Sequence, residues 1–246
     1  MSRSARGALK AGFIVSCFAL AACSNVTPTP PKSGSTTPET QNTDNFSQWQ
    51  AMKLPGKRPT DYHAAHSQGR DALAARSDGS ASMFRRVVNI APEQLGRLSF
   101  SWKVQDLIPQ ADLGVRESED APVRVVLAFE GDRSKFSTRD AMLSELARTL
   151  TGEPMPYATL MYVWCNTRPP ESIIQSQRTD RIRKIVVESG AQNLMQWRDY
   201  ERDIRADYQR VFGEPPGALV GLAIMTDSDN TKSSARAWYG AVRLSP

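Results

Sequence analysis

Apolar side chains at every second position restrict the folds open to this chain more than any other feature of its sequence. Leu98, Phe100, Trp102 and Val104 alternate with Ser99, Ser101 and Lys103, and Val123, Val125, Leu127 and Phe129 alternate with Arg124, Val126, Ala128 and Glu130. Successive side chains of a strand point to opposite faces, so each run describes a strand with one face in a core. Residues 157–165 are apolar at both parities, which predicts a central strand covered on both sides, and residues 182–187 interleave Arg183 and Lys184 with Ile and Val. Shorter candidates at 62–66, 71–76 and 82–90 are separated by Ser, Gly and Asp turn residues. Residues 217–225 form one more apolar run, too short for a typical helix, that ends in Thr226-Asp227-Ser228-Asp229-Asn230. A strand at 235–244, carrying Trp238 and Tyr239, is expected to turn back beside it, which brings the strand total to about nine.

Two stretches follow a helical period instead. After Ser137, a cap with Asp140 three residues on, Met142, Leu143, Leu146, Ala147 and Leu150 share one face until Gly152 and Pro154. A second helix is predicted from Trp197 through Tyr200, Ile204, Tyr208 and Val211 to Phe212, stopped by Gly213 and Pro215. Strand patterns precede, separate and follow the helices, which disfavours an alternating parallel sheet. The expected fold is mainly β: an antiparallel β-sandwich of jelly-roll type with two amphipathic helices packed on it.

Residues 1–22 read as an export signal, with Arg3, Arg6 and Lys10 ahead of a short apolar segment at 11–22. The tetrad Leu20-Ala21-Ala22-Cys23 resembles the bacterial lipobox, and the resemblance implies that Cys23 is acylated and becomes the first residue of a membrane-anchored lipoprotein. Ser24 in place of aspartate resembles outer-membrane sorting, so the expected location is the cell envelope, on the outer membrane facing the periplasm. Residues 23–45, rich in Ser, Thr and Pro, cannot bury enough apolar surface to offset their ordering entropy and are expected to be a disordered tether. Residues 46–246 suffice for one sandwich domain. The chain holds 31 basic and 26 acidic residues. Without the signal's three basic residues the balance is 28 against 26, which gives no basis for a nucleic-acid partner. Cys165 is the one thiol left in the domain, so disulfide and thiolate-metal frameworks are excluded, and its apolar surroundings predict a buried hydrophobe.

Leu54-Pro55-Gly56-Lys57 with Thr60 and Tyr62, Trp102-Lys103-Val104, Glu119-Asp120 with Arg124, Tyr157-Ala158-Thr159-Leu160 with Tyr162-Val163-Trp164, Asp207-Tyr208 with Phe212-Gly213-Glu214, and above all Met225-Thr226-Asp227-Ser228-Asp229-Asn230-Thr231 resemble the bacterial domain-of-unknown-function 3047 family. The resemblance implies an exported, sandwich-like domain and supplies no activity.

Chemistry is therefore argued from side chains. Asp227, Asp229 and Asn230 offer oxygens suited to a hard cation such as Ca²⁺, but the EF-hand pattern fails, with Lys232 and Trp238 where Gly and Glu belong. The other readings of these residues are the shaping of a turn and a loop that contacts a sugar. No resident cofactor is expected. His63 and His66, three apart on a strand, point to opposite faces and do not form a metal pair. Asp112, Arg116, Glu119, Asp120 and Arg124 form a second polar group, either a pair of carboxylates for glycoside chemistry or an ion pair from Arg124 to Asp120 or Asp112 that orders a loop. Trp164 and Trp238 are candidate sugar platforms, whereas Trp102 and Trp197 sit at core parity. The candidate ligand-binding set is Asp112, Arg116, Asp120, Arg124, Trp164, Asp227, Asp229, Asn230 and Trp238. The expected role is binding of a carbohydrate or cell-wall polymer without catalysis. Alternatives are a polysaccharide-acting enzyme using Asp112, Asp120 or Arg124 with Asp227, and a scaffold lipoprotein that binds other proteins.

Overall fold

The computed structural model describes residues 46–246. The expected export signal, Cys23 and the tether lie outside the described residues. Two sheets face each other. The first runs in the order β1 (Gln50–Lys53), β4 (Ala81–Ile90), β11 (Leu219–Asp227), β6 (Ala121–Phe129), β7 (Ala158–Cys165), β9 (Ile182–Ser189) and β8 (Ile173–Gln175). The second runs β10 (Arg198–Asp203), β5 (Arg97–Val104), β12 (Ser234–Tyr239), β3 (Arg70–Asp78) and β2 (Asp61–Ser67), with β13 (Arg243–Ser245) also on β5. Neighbours are antiparallel except β7 and β9. The expected mainly-β sandwich is the fold observed.

Alternation accounts for the core. Leu98, Phe100, Trp102 and Val104 of β5 meet Val123, Val125, Leu127 and Phe129 of β6 and Leu160, Tyr162 and Trp164 of β7 in one buried cluster. Phe100 bridges the layers, stacked at 5.5 Å on Tyr162 and at 5.3 Å on Tyr200. Each such fully buried side chain contributes about 1.5–3 kcal/mol. All of β7 is buried. Its other parity, Met161, Val163 and Cys165, joins Leu113, Val126, Ile174 and Met225 in a second cluster on the outer side of the first sheet. Cys165 is the expected buried hydrophobe.

Three expectations are corrected. Residues 198–203 form strand β10, not helix, because pairing with β5 outweighs the local helical spacing, and the second helix, α2, spans Ile204–Phe212. Ile204, Tyr208 and Val211 carry its buried face, capped by Asp203. The first helix, α1 (Thr138–Thr151), starts on Ser137 as the spacing implies, but it docks through its polar side. Asp140 and Ser144 are buried, held by Thr179 and Arg133, while Met142, Leu146 and Leu150 stay 69%, 53% and 59% exposed. Residues 235–244 do not return beside β11. They break into β12 and β13 in the opposite sheet, so β11 is flanked instead by β4 and β6.

Candidate functional site

The antiparallel register sets Ala81 at the start of β4, Asp227 at the end of β11 and Ala121 at the start of β6 side by side. This edge is polar and sealed. Asp227, 4% exposed, accepts Arg124 Nε at 2.9 Å and Nη2 at 2.8 Å, and the Ala121 N–H at 3.1 Å. Arg124 Nη2 also donates to the Glu119 carbonyl at 2.7 Å. Burial pushes the Asp227 carboxyl up to about 6 against the pull of Arg124, whose own affinity for its proton is raised because Asp227 outweighs the burial of the guanidinium. Glu119 pairs at 2.7 Å with Lys184, a side chain with no exposed surface that also donates to the Leu113 carbonyl. Burial raises the Glu119 carboxyl, but Lys184 and Arg124 overcome it and hold the group below its ordinary value.

Asp120, 1% exposed, accepts the Asn230 N–H and both the N–H and hydroxyl of Thr231, while Asn230 Nδ2 donates to the Arg116 carbonyl. Asp112 pairs with Arg168, not with Arg124, and caps the Gly114 N–H. Arg124 pairs with Asp227, not with Asp120 or Asp112. Asp120, Asp227 and Asp229 therefore come together as a latch that fastens loop 105–120 over the first sheet and not as an open cleft, while Asp112 is engaged apart from them by Arg168. Carboxylate oxygens of Asp120, Asp227 and Asp229 lie within 4.8 Å of one another, a spacing that suits a cation. Arg124 already neutralises Asp227 and Lys57 pairs with Asp229, so built-in cations fill the role a metal would take.

Neither candidate indole borders this edge. Trp164 is 1% exposed and donates to the Gly190 carbonyl, which removes it as a sugar platform. On β12 the side chains alternate. Tyr239 points inward, where its hydroxyl bonds the Met225 carbonyl and meets Thr226 Oγ1, so Trp238 must point to the outer face of the second sheet. There it is half-buried beside Lys103, whose ammonium sits 4.2 Å from the Trp238 ring and 5.9 Å from Trp197. Trp197, expected in the core, is half-buried on this same face, with its indole N–H on the Ser67 carbonyl and the Arg70 guanidinium 5.2 Å over its ring. Arg70 in turn clasps Asp199 at 2.7 and 3.1 Å. Gln68 and Gly69, both at positive φ, make the tight β2–β3 turn that closes one side. His63 and His66 are exposed beside Asp61 and Asp71 respectively.

A family model described as a protein of unknown function, DUF3047, matches residues 47–243. The chain belongs to that family. No curated protein matches the DUF3047 sequence significantly. Among solved structures, the DUF3047 domain is similar to the family 11 carbohydrate-binding module of a cellulosomal cellulase of Clostridium thermocellum, with 8% identity, 82% of this chain and 90% of that one covered, and a TM-score of 0.39. It is similar as well to the xyloglucanase domain of NopAA from Sinorhizobium fredii, at 10% identity, 82% and 100% coverage and a TM-score of 0.41. A cellulase derived from Cel12A of Rhodothermus marinus aligns at 10% identity, 80% and 91% coverage and a TM-score of 0.41. Overlap this loose carries no argument about ligand.

Sequence reasoning missed several groups of the DUF3047 domain that matter. Lys184 shares its strand face with Ile182 and Val186, and neither it nor Lys57, Arg168 and Thr231 shows its partner locally, because each finds that partner across at least 50 residues of chain. Lys103 was legible only as the polar member of an alternating strand; its burial between two indoles arises from β12 and the segment before β10.

Proposed function

We propose that this protein is a lipid-anchored component of the bacterial cell envelope, held through acylated Cys23 on the outer membrane facing the periplasm, whose sandwich head binds a carbohydrate or cell-wall polymer without turning it over. The supporting observation is the pair of half-buried indoles, Trp238 and Trp197, on the outer face of the second sheet. An indole offers an apolar face that matches the C–H face of a sugar ring. Around the pair, Gln68 and His63 are exposed groups able to meet sugar hydroxyls. Binding is favoured over turnover because Asp120 and Asp227, the carboxylates a polysaccharide-cleaving enzyme would call on, are already engaged by Thr231, Asn230 and Arg124.

The test is retention of the full chain carrying Cys23→Ser on a panel of immobilised glycans and isolated cell-wall polymers. Trp238→Ala should weaken retention about tenfold or more, equivalent to roughly 1.4 kcal/mol, with the thermal midpoint unchanged. Retention that ignores both tryptophans sinks the proposal, and release of new reducing ends would replace it with an enzyme. The anchoring part stands separately: wild type should sediment with membranes and Cys23→Ser should not. A second reading, a scaffold that binds another protein, is supported by the exposed Met142, Leu146 and Leu150 stripe on α1. Loss of a chemical crosslink on Leu146→Glu, with glycan retention intact, would favour it.

A further inference from the structure

Lys103 is unusual in its setting. It projects from β5 onto the outer face of a sheet, where long cations ordinarily reach water, yet it is 3% exposed. Its ammonium has three N–H donors, of which the Ser67 hydroxyl takes one. Its ammonium also lies over the rings of Trp238 and Trp197, and it forms no ion pair with any described carboxylate. Asp199, paired with Ser101 two residues along β5, is already committed to Arg70. Removal from water also lowers the lysine's proton affinity. A desolvated cation without a counter-charge is unfavourable and is normally paired or put to use. The other buried lysine of the domain shows the contrast, since Lys184 has Glu119 at 2.7 Å.

Resting on the carbohydrate reading above, we propose that the ligand is acidic: a glycan whose sugar rings lie on Trp238 and Trp197 and whose carboxylate supplies the counter-charge that Lys103 lacks. The chemical class is a uronate-bearing oligosaccharide. The indoles give affinity for any sugar with an exposed apolar face, and Lys103 gives preference for the charged one. Cation–π contact holds the ammonium in place while leaving its remaining donors unpaired, so the carboxylate meets an oriented partner. Arg70 is a poor substitute, because its fork is closed on Asp199.

The experiment is calorimetric titration of the full chain carrying Cys23→Ser with two matched probes, a tetragalacturonate and a neutral cellotetraose. The uronate should bind about tenfold tighter or more, and its advantage should shrink as salt rises from about 0.05 to about 0.5 M, whereas the neutral probe should be insensitive to salt. Lys103→Met, a linear apolar side chain of similar length between the same two rings, should bring the uronate down to the neutral level and leave cellotetraose unchanged. Trp238→Ala should weaken both. Equal, salt-independent binding of the two probes, or a uronate preference that survives Lys103→Met, overturns the assignment of Lys103 while the carbohydrate reading stands. Absence of binding to either probe and to the wider glycan panel removes that reading as well. Should Lys103→Met fail to fold, the salt dependence of the wild-type preference decides alone.

Discussion

The sealed pair of Arg124 and Asp227 gives the sharpest test of the fold. Arg124→Met removes two charge-assisted hydrogen bonds to Asp227, at 2.9 and 2.8 Å, and one to the Glu119 carbonyl, and it leaves a carboxyl that is 4% exposed without its guanidinium. Breaking a buried pair from one side costs about 3–5 kcal/mol, and for a domain near this size each kcal/mol lowers the thermal midpoint by about 2–4 °C, so a fall of roughly 6–20 °C is expected at neutral pH. The pH dependence follows from the direction of the shift. Burial already holds the Asp227 carboxyl at about 6, above its unfolded value of 3.8, so the folded protein binds the extra proton and this group's contribution to stability falls as pH rises from 3.8 through 6. Without Arg124 the folded value climbs further, and the decline continues above 6 at about 1.4 kcal/mol per unit of additional shift. The difference between wild type and variant should therefore be larger near pH 7.5 than near pH 5, measured by urea denaturation with tryptophan fluorescence. Adding Asp227→Leu to Arg124→Met should recover part of the loss, since an apolar pair strands no charge. A loss below about 1 kcal/mol, or one equal at both pH values, would refute the reasoning.

Three further outcomes are expected. Gly217→Ala would set its new methyl 2.0 Å from the backbone oxygen of Glu130, so unfolding should become easier by more than about 2 kcal/mol in denaturant titration; a neutral result would mean that the β6–β11 contact gives way freely. Leu146→Gln, on the exposed stripe of α1, should change stability by no more than about 0.5 kcal/mol, and a larger loss would show that the stripe is covered. Because Lys57 and Arg124 neutralise Asp229 and Asp227, millimolar calcium or chelator should leave the thermal midpoint of the wild type in place. A calcium-dependent rise would show that the cation displaces Lys57 and that the acidic cluster is a metal site after all.

The sequence by itself determined the sandwich and its core. Strict alternation along β5 and β6 leaves one face of each strand apolar, and only a second layer can cover it, so residues such as Phe100, Trp102 and Val125 were legible as interior without any knowledge of their partners. Asp227 was legible as the polar end of a buried strand for the same reason. Tertiary structure alone decided which sheet each strand joins and what each polar group meets. Placing β12 in the second sheet sends Trp238 away from Asp227 and brings it to Lys103, and pairing with β5 makes a strand of residues 198–203 whose spacing is helical. Hydrophobic period is a local property of the chain, whereas ion pairs such as Arg124 with Asp227, 103 residues apart, exist only once the register between distant strands is set.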